Sequence, residues 1–247
     1  MKRLLHTQVH CTPRRLLGAT GLLQCVMLFT AVASTDPIRA QVPPGAGELR
    51  QYTGLLAAAA RGDAAQIRDL LAKGEKPDVR DGRGRTPLHV AAHASKVEAM
   101  RALVAGGANP NALENDRYDI ITIAAVANDL PVLEAALALG CSAKNITSRY
   151  DGTALIAAAH LGHADVVRRL IRAGAPLDHV NNLGWTALIE SIVLGDGGAR
   201  HTDTLKSLVE AGANLNLPDR NGRTPLALAR GRGYERMASI LAEAGAK

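Results

Sequence analysis

Aromatic side chains are scarce in this chain: one Trp, four Tyr and one Phe make up 2% of 247 residues, while 47% of the sequence is hydrophobic. A core of interlocking rings is thereby excluded, and the interior must be built from Ala, Leu, Val and Ile. Small side chains bring backbones close together, and helices stacked through Ala-rich faces are the simplest arrangement that achieves this. Cysteine is rarer still, with Cys11, Cys25 and Cys141 as the complete set. Two of these lie in an N-terminal segment that reads as removable, so Cys141 has no intrachain partner and a disulfide framework is excluded. Its thiol is expected to be buried and inert, the alternative being a reactive thiol, which would need exposure and a lowered pKa.

Catalytic signatures are also missing. The Gly-rich stretches DGRGRT and GDGGAR do not continue to Gly-Lys-Ser/Thr, so a phosphate cradle is not expected. Neither a G-x-S-x-G elbow nor an H-E-x-x-H pair occurs. His160 and His163 have H-x-x-H spacing, but no further ligands are arranged around them in the sequence, and no metal or cofactor is expected. An enzyme is therefore not the expected class.

The first forty residues carry a different message from the rest. A basic start, MKRLLHTQVHCTPRR, runs into an apolar stretch of 18 residues from Leu16 to Ala33, and small-residue cleavage candidates follow at Ala33 and Ala40. That order is the grammar of a secretory signal peptide, because the positive end stays inside while the apolar part inserts. Retention of the segment as a membrane anchor is the alternative, since 18 residues can just span a bilayer. Residues 1–40 are read as the signal, 41–51 as a linker and 52–247 as the folded domain, with the mature protein periplasmic or secreted. The whole chain has 29 Lys and Arg against 23 Asp and Glu, or +6. Five of those bases and one acid fall in positions 1–40, which leaves 24 against 22, or +2. The basicity is thus a targeting feature, and nucleic acid is not an expected partner.

Beyond the signal the sequence repeats itself. Indexed on one position, the series runs Thr53, Thr86, Asp119, Thr153, Thr186 and Thr224, at intervals of 33, 33, 34, 33 and 38 residues. Each of the six units, starting near 52, 85, 118, 152, 185 and 223, opens with a short apolar run such as LHVAAH or LIAAAH. A second run of helical period follows, such as AMRALVAGG or VVRRLIRAG, and Gly closes it. Gly suits the left-handed residue just past a helix end, so each unit is read as helix, turn, helix and loop.

The 33-residue period and the stretch GRTPLHVAA at Gly84–Ala92 resemble the ankyrin repeat, as do GHADVVRRLIRAGA at Gly162–Ala175 and the Gly-Ala-Asn-x-Asn turns at Gly107–Asn111 and Gly212–Asn216. The resemblance covers about residues 52–247 and implies an all-α solenoid of about six helix-turn-helix units with short finger loops. Unit three departs from it, with DIIT in place of TPLH, and local weakness is expected there. Unit five departs too: the stretch Gly195–Thr202 enlarges the turn between its helices, and that turn is expected to be mobile.

In this family partners are usually held by the fingers and the exposed face of the first helices, so the resemblance implies a non-catalytic module for a protein partner, expected to be a monomer. Mapped onto this chain, the surface takes Arg83 and Arg85, then Arg117 and Tyr118, then Arg149 and Tyr150. It continues through Leu183, Trp185 and Glu190 to Arg220 and Arg223. Tyr118, Tyr150 and Trp185 place three of the five aromatics beyond the signal on consecutive fingers, and Trp, Tyr and Arg are the residues that most often dominate interface energy. The alternative for each ring is packing on the next finger. Two roles remain open: an exported adaptor or protective partner, and a periplasmic immunity protein that occludes a toxic or lytic enzyme.

Overall fold

Helix-terminating glycines recur where the period places them. Gly74, Gly107, Gly140, Gly174, Gly212 and Gly245 have φ between +80° and +94°, a region that costs a residue without Cβ very little. The computed structural model describes residues 41–247, and the export segment expected at 1–40 lies outside the described residues. Within 41–247 a short helix α1 (Ala46–Gln51) precedes six helix pairs. These are α2 (Gly54–Arg61) with α3 (Ala64–Ala72), α4 (Pro87–His93) with α5 (Val97–Ala105), and α6 (Ile120–Ala127) with α7 (Leu130–Ala138). The series continues with α8 (Ala154–Leu161) and α9 (Ala164–Arg172), α10 (Ala187–Val193) and α11 (Ala199–Glu210), and α12 (Pro225–Gly231) and α13 (Glu235–Glu243). The all-α, six-unit architecture expected from the period is the one observed. Among the described residues no helix is long and apolar enough to cross a membrane.

Two layers result. The first helices of the units stack in the order α2, α4, α6, α8, α10, α12, and the second helices in the order α3, α5, α7, α9, α11, α13. Buried Ala pairs such as Ala58–Ala59, Ala124–Ala125 and Ala158–Ala159 let the first helices approach closely, and Leu103, Leu133, Leu170 and Leu208 fill the second layer. Each such Leu contributes roughly 1.5–3 kcal/mol on burial, and no unit can bury its own face without a neighbour.

The capping position starts every first helix. The hydroxyls of Thr153, Thr186 and Thr224 accept from the main-chain N–H three residues on, at 3.2–3.3 Å. In unit two the N–H of Thr86 donates to Nδ1 of His89, which makes Nε2 the protonated nitrogen that donates to the carbonyl of Tyr118 at 3.1 Å. His163 reaches the Ala125 carbonyl at 2.9 Å and so ties unit four to unit three. Cys141 is buried, as expected, and burial pushes its thiol up to about 12.

Two expectations are corrected. Unit three is not left without side-chain bonds: Asp119 replaces the capping Thr, and its Oδ1 accepts from the N–H of Thr122 at 2.8 Å and from its hydroxyl at 2.7 Å. Its Oδ2 accepts from Asn145 of the next finger at 2.9 Å, and Thr122 also meets Thr147 at 3.1 Å. A carboxylate offers more lone pairs than a hydroxyl, so one residue serves partners in two units. The enlarged turn of unit five is also tied down. Asp196 bonds the Gly198 N–H and His201, both at 2.9 Å, while Nε2 of His201 pairs with the His160 carbonyl at 2.9 Å and Tyr234 donates to the Gly195 carbonyl at 2.9 Å. The extra residues lengthen α11 to 12 residues instead of forming a loose loop. Replacing Asp119 by Ala removes a cap and unpairs buried donors, so a loss of about 2–3 kcal/mol is expected. Urea unfolding of Asp119→Ala beside Thr153→Ala checks it, with the smaller loss expected for Thr153.

Candidate binding surface

Five residues before each cap stands a polar acceptor: Asp81, Glu114, Ser148, Asn181 and Asp219. Oδ1 of Asp81 accepts from the N–H groups of Arg83 and Arg85, both at 2.9 Å. Oδ1 of Asp219 does the same for Asn221 and Arg223 at 2.9 Å, and Oδ1 of Asn181 for Leu183 and Trp185 at 3.0 Å. In the other two fingers Glu114 accepts from Tyr118 N–H at 3.0 Å and Ser148 from Tyr150 N–H at 3.2 Å. Side-chain acceptors of this kind stand in for backbone turns. Two residues before the cap the chain is left-handed in all five fingers, with Gly84, Arg117, Asp151, Gly184 and Gly222 at φ +51° to +82°. The 34-residue interval is absorbed here, through left-handed Ser148 and Asp151 and an isolated antiparallel bridge between Thr147 and Gly152.

Fingers are then joined to one another. Main-chain bonds run from Asn115 to Arg83, Ser148 to Arg117 and Asn182 to Tyr150 at 2.9–3.0 Å. Crossed ion pairs flank them: Arg149 with Asp116 at 2.8 Å and Arg117 with Asp151 at 2.7 Å. Both are exposed pairs of the kind worth little in stability, and they fix where the guanidinium groups sit.

The residues singled out in the sequence divide into three sets. Arg83, Arg117, Arg149, Arg220 and Arg223 are exposed along one edge, with Arg220 donating to the Asn182 carbonyl. Tyr150, Leu183 and Trp185 are half-buried on consecutive fingers, and Trp185 packs partly against the core. Arg85, Tyr118 and Glu190 are buried, at 1%, 8% and 4% exposure, and so do not present themselves as contacts. For Arg85 the cause is the segment expected as a linker, which forms α1 and covers the guanidinium. Burial raises the Tyr118 phenol above its ordinary pKa. Glu190 faces inward, with Oε1 accepting from Nδ2 of Asn181 at 2.9 Å and Oε2 3.3 Å from Nδ1 of His160. It positions the finger acceptor Asn181 and, through it, Leu183 and Trp185.

Sequence reasoning missed the finger acceptors and the role of residues 41–52. The acceptors had a legible signal, since an oxygen-bearing side chain recurs five positions before each cap. Their electrostatics follow from their bonds: burial pushes Asp81 up, yet donors from Tyr52, Arg85 and the main chain outweigh it and hold the carboxyl below its ordinary range. Asp219 is lowered in the same way, by Arg223 and the main chain against burial. Among the described residues no group of three or more metal-ligating side chains is gathered.

Comparison with known proteins agrees with this geometry. A family model for ankyrin repeats in three copies matches residues 55–147 and 121–219, and one for many copies matches 198–242. The Escherichia coli (strain K12) protein YahD, described as an ankyrin repeat protein, is 41% identical over 103 residues, or 41% of this chain and 51% of that one. The match thus spans about half the length of that curated relative. Among solved structures, an ankyrin repeat domain from Acinetobacter baumannii AYE is 44% identical with a TM-score of 0.73, covering 78% of this chain and 98% of that one. The ankyrin repeat protein EF0377 is 33% identical with a TM-score of 0.72 over the same shares.

One group on this surface makes stability depend on pH. His93, on α4, is lowered to about 4, by burial first and then by Arg85 and His89, against an opposing pull from Asp81; burial lowers His89 too. The unfolded chain protonates these rings near 6.5 while the folded one resists, so stability is full above about pH 6.5 and falls as pH drops towards 4. The lowered carboxylates begin to lose their contribution only as pH falls through their ordinary values, 4.5 for Glu48 and 3.8 for Asp81 and Asp219, so it is still nearly whole at pH 5.0. Urea midpoints at pH 7.5 and 5.0 are expected to differ, with the lower at pH 5.0 and the gap narrowed in His93→Asn.

Proposed function

Because the chain belongs to the ankyrin-repeat family, we propose that it is a non-catalytic module that docks a protein partner across its fingers and first helices, acting as a monomer exported to the periplasm. The observation that carries this reading is the separation of duties within each finger. Side-chain acceptors hold the main chain, while Arg83, Arg117, Arg149, Arg220, Arg223, Tyr150, Leu183 and Trp185 stand beside them on the surface. A rigid backbone carrying Arg, Tyr and Trp loses little freedom on binding, which is where docking surfaces gain affinity. Export rests on the basic, apolar and small-residue order of residues 1–40.

Adaptor and inhibitor differ in what happens to the partner. Affinity capture from periplasmic extract, followed by assay of whatever activity the captured protein has, separates them: an adaptor leaves that activity intact, as we propose, and an immunity protein abolishes it. Within the surface, Trp185 is the anchor. Truncation to Ala is expected to weaken the captured complex by about 2 kcal/mol or more, the hot-spot range, with a smaller loss of stability because the ring is only partly buried. Titration calorimetry beside thermal unfolding checks it. A large fall in melting temperature with undiminished affinity would assign Trp185 to the stack alone.

A further inference from the structure

Arg85 and Arg223 occupy one repeat position and make one hook. In each, the main-chain N–H and the guanidinium both bond the Asp four residues earlier, at 2.9 and 2.7 Å for Arg85 and at 2.9 and 2.8 Å for Arg223. Their side chains nevertheless differ, with 1% exposure for Arg85 and 57% for Arg223. The difference lies in what meets the guanidinium, and for Arg85 that is not the following finger. Nη1 of Arg85 donates to the Val42 carbonyl at 2.9 Å, and Nη2 donates to Glu48 Oε1 at 2.6 Å and to the Tyr52 oxygen at 3.1 Å. Arg83 Nε lies 3.4 Å from the same Glu48 oxygen. Residues 41–52 therefore cover Arg85 and pair with the exposed Arg83, and ahead of Glu48 the residues Gln41 and Val42 line a cleft together with His93, Tyr118 and Ile123. His93 and Ile123 belong to α4 and α6, so the cleft is on the first-helix face.

Ahead of Tyr52 this cover is held by polar contacts and not by burial. No residue of α1 is buried, Val42 and Leu49 are each 43% exposed, and Nε2 of Gln41 is buried without a hydrogen-bond partner. Tyr52 anchors its end, donating to Asp81 at 2.5 Å and packing against the core, while the bonds from Arg83 and Arg85 to Glu48 are charge-assisted ones that another carboxylate can replace. We propose that residues 41–52 are a displaceable occupant of the protein's own docking face, and that the partner is an extended acidic segment which takes Arg83 and Arg85 from Glu48 and Val42. The inference rests on the docking reading above and adds the partner's chemistry and a built-in competitor. Acidity follows from the contacts, because both arginines converge on one carboxylate. The covering segment has one acid, Glu48, against one base, Arg50, and the uncovered far end of the face offers Arg220 and Arg223.

The test uses the purified protein and a fluorescein-labelled peptide with the sequence of residues 41–52, beside a scrambled peptide and one carrying Arg50→Glu. Glu48→Ala loosens the resident segment, so that protein is expected to bind the peptide at least about tenfold more tightly than the wild type does. The Arg50→Glu peptide should bind more tightly still. Adding Arg85→Gln, or Arg83→Gln should the buried change unfold the chain, should weaken that binding severalfold. Equal binding to wild type and Glu48→Ala, no binding to either, or equal binding of the scrambled peptide would overturn the proposal. So would a doubled mass on gel filtration, which would assign the segment to a second copy. The two readings fail separately: partner capture lost in Trp185→Ala with no peptide effect removes only the competitor, whereas a peptide effect with capture unchanged in Trp185→Ala removes the docking face as drawn.

Discussion

The side-chain oxygen five residues before each cap is what the surface depends on. A finger is a loop between two helices with no strand to hold it, and a main chain that turns through a left-handed residue needs its N–H groups satisfied locally. Asp81, Asn181 and Asp219 each take two of them, and Glu114 and Ser148 take one. Once the turn is fixed, the next finger can register on it through a main-chain bond, as Asn115, Ser148 and Asn182 do. The acceptor also sets which residue can stand before the cap. An Asp pairs with Arg in units two and six, whereas Asn181 carries no charge, stands beside Trp185 and turns its amide to Glu190.

Interlocking at this level extends to the irregular units. Asp119 replaces a Thr yet reaches Asn145 in the next finger, and His201 closes the enlarged turn of unit five against the carbonyl of His160 in unit four. Each departure from the repeat is answered by a contact to a neighbouring unit, as a stack with nearest-neighbour stability requires.

The period, the closing glycines and the two-layer architecture were legible because they rest on local rules: a helix of about nine residues, a terminator, and a face too small to be buried alone. The burial of Arg85, Tyr118 and Glu190 was not, since it depends on groups distant in sequence. Glu48 lies 37 residues from Arg85, and residues 41–51 have no apolar period by which a helix or a cover could be recognised. The contacts that compensate unit three were hidden for the same reason, because Asn145 and Thr147 belong to the following finger.

On the proposed reading, the fingers and first helices, with Arg83 and the covered Arg85 at one end and the exposed Arg220 and Arg223 at the other, form the docking face, and α3, α5, α7, α9, α11 and α13 are its support. Hydrogen exchange of the protein alone and with its captured partner tests that division most directly. Protection is expected in the fingers at residues 81–85, 114–118, 148–152, 181–185 and 219–223 and in the first helices beside them, with exposure gained at 41–52. Protection confined to the second helices, with the fingers unchanged, would contradict it.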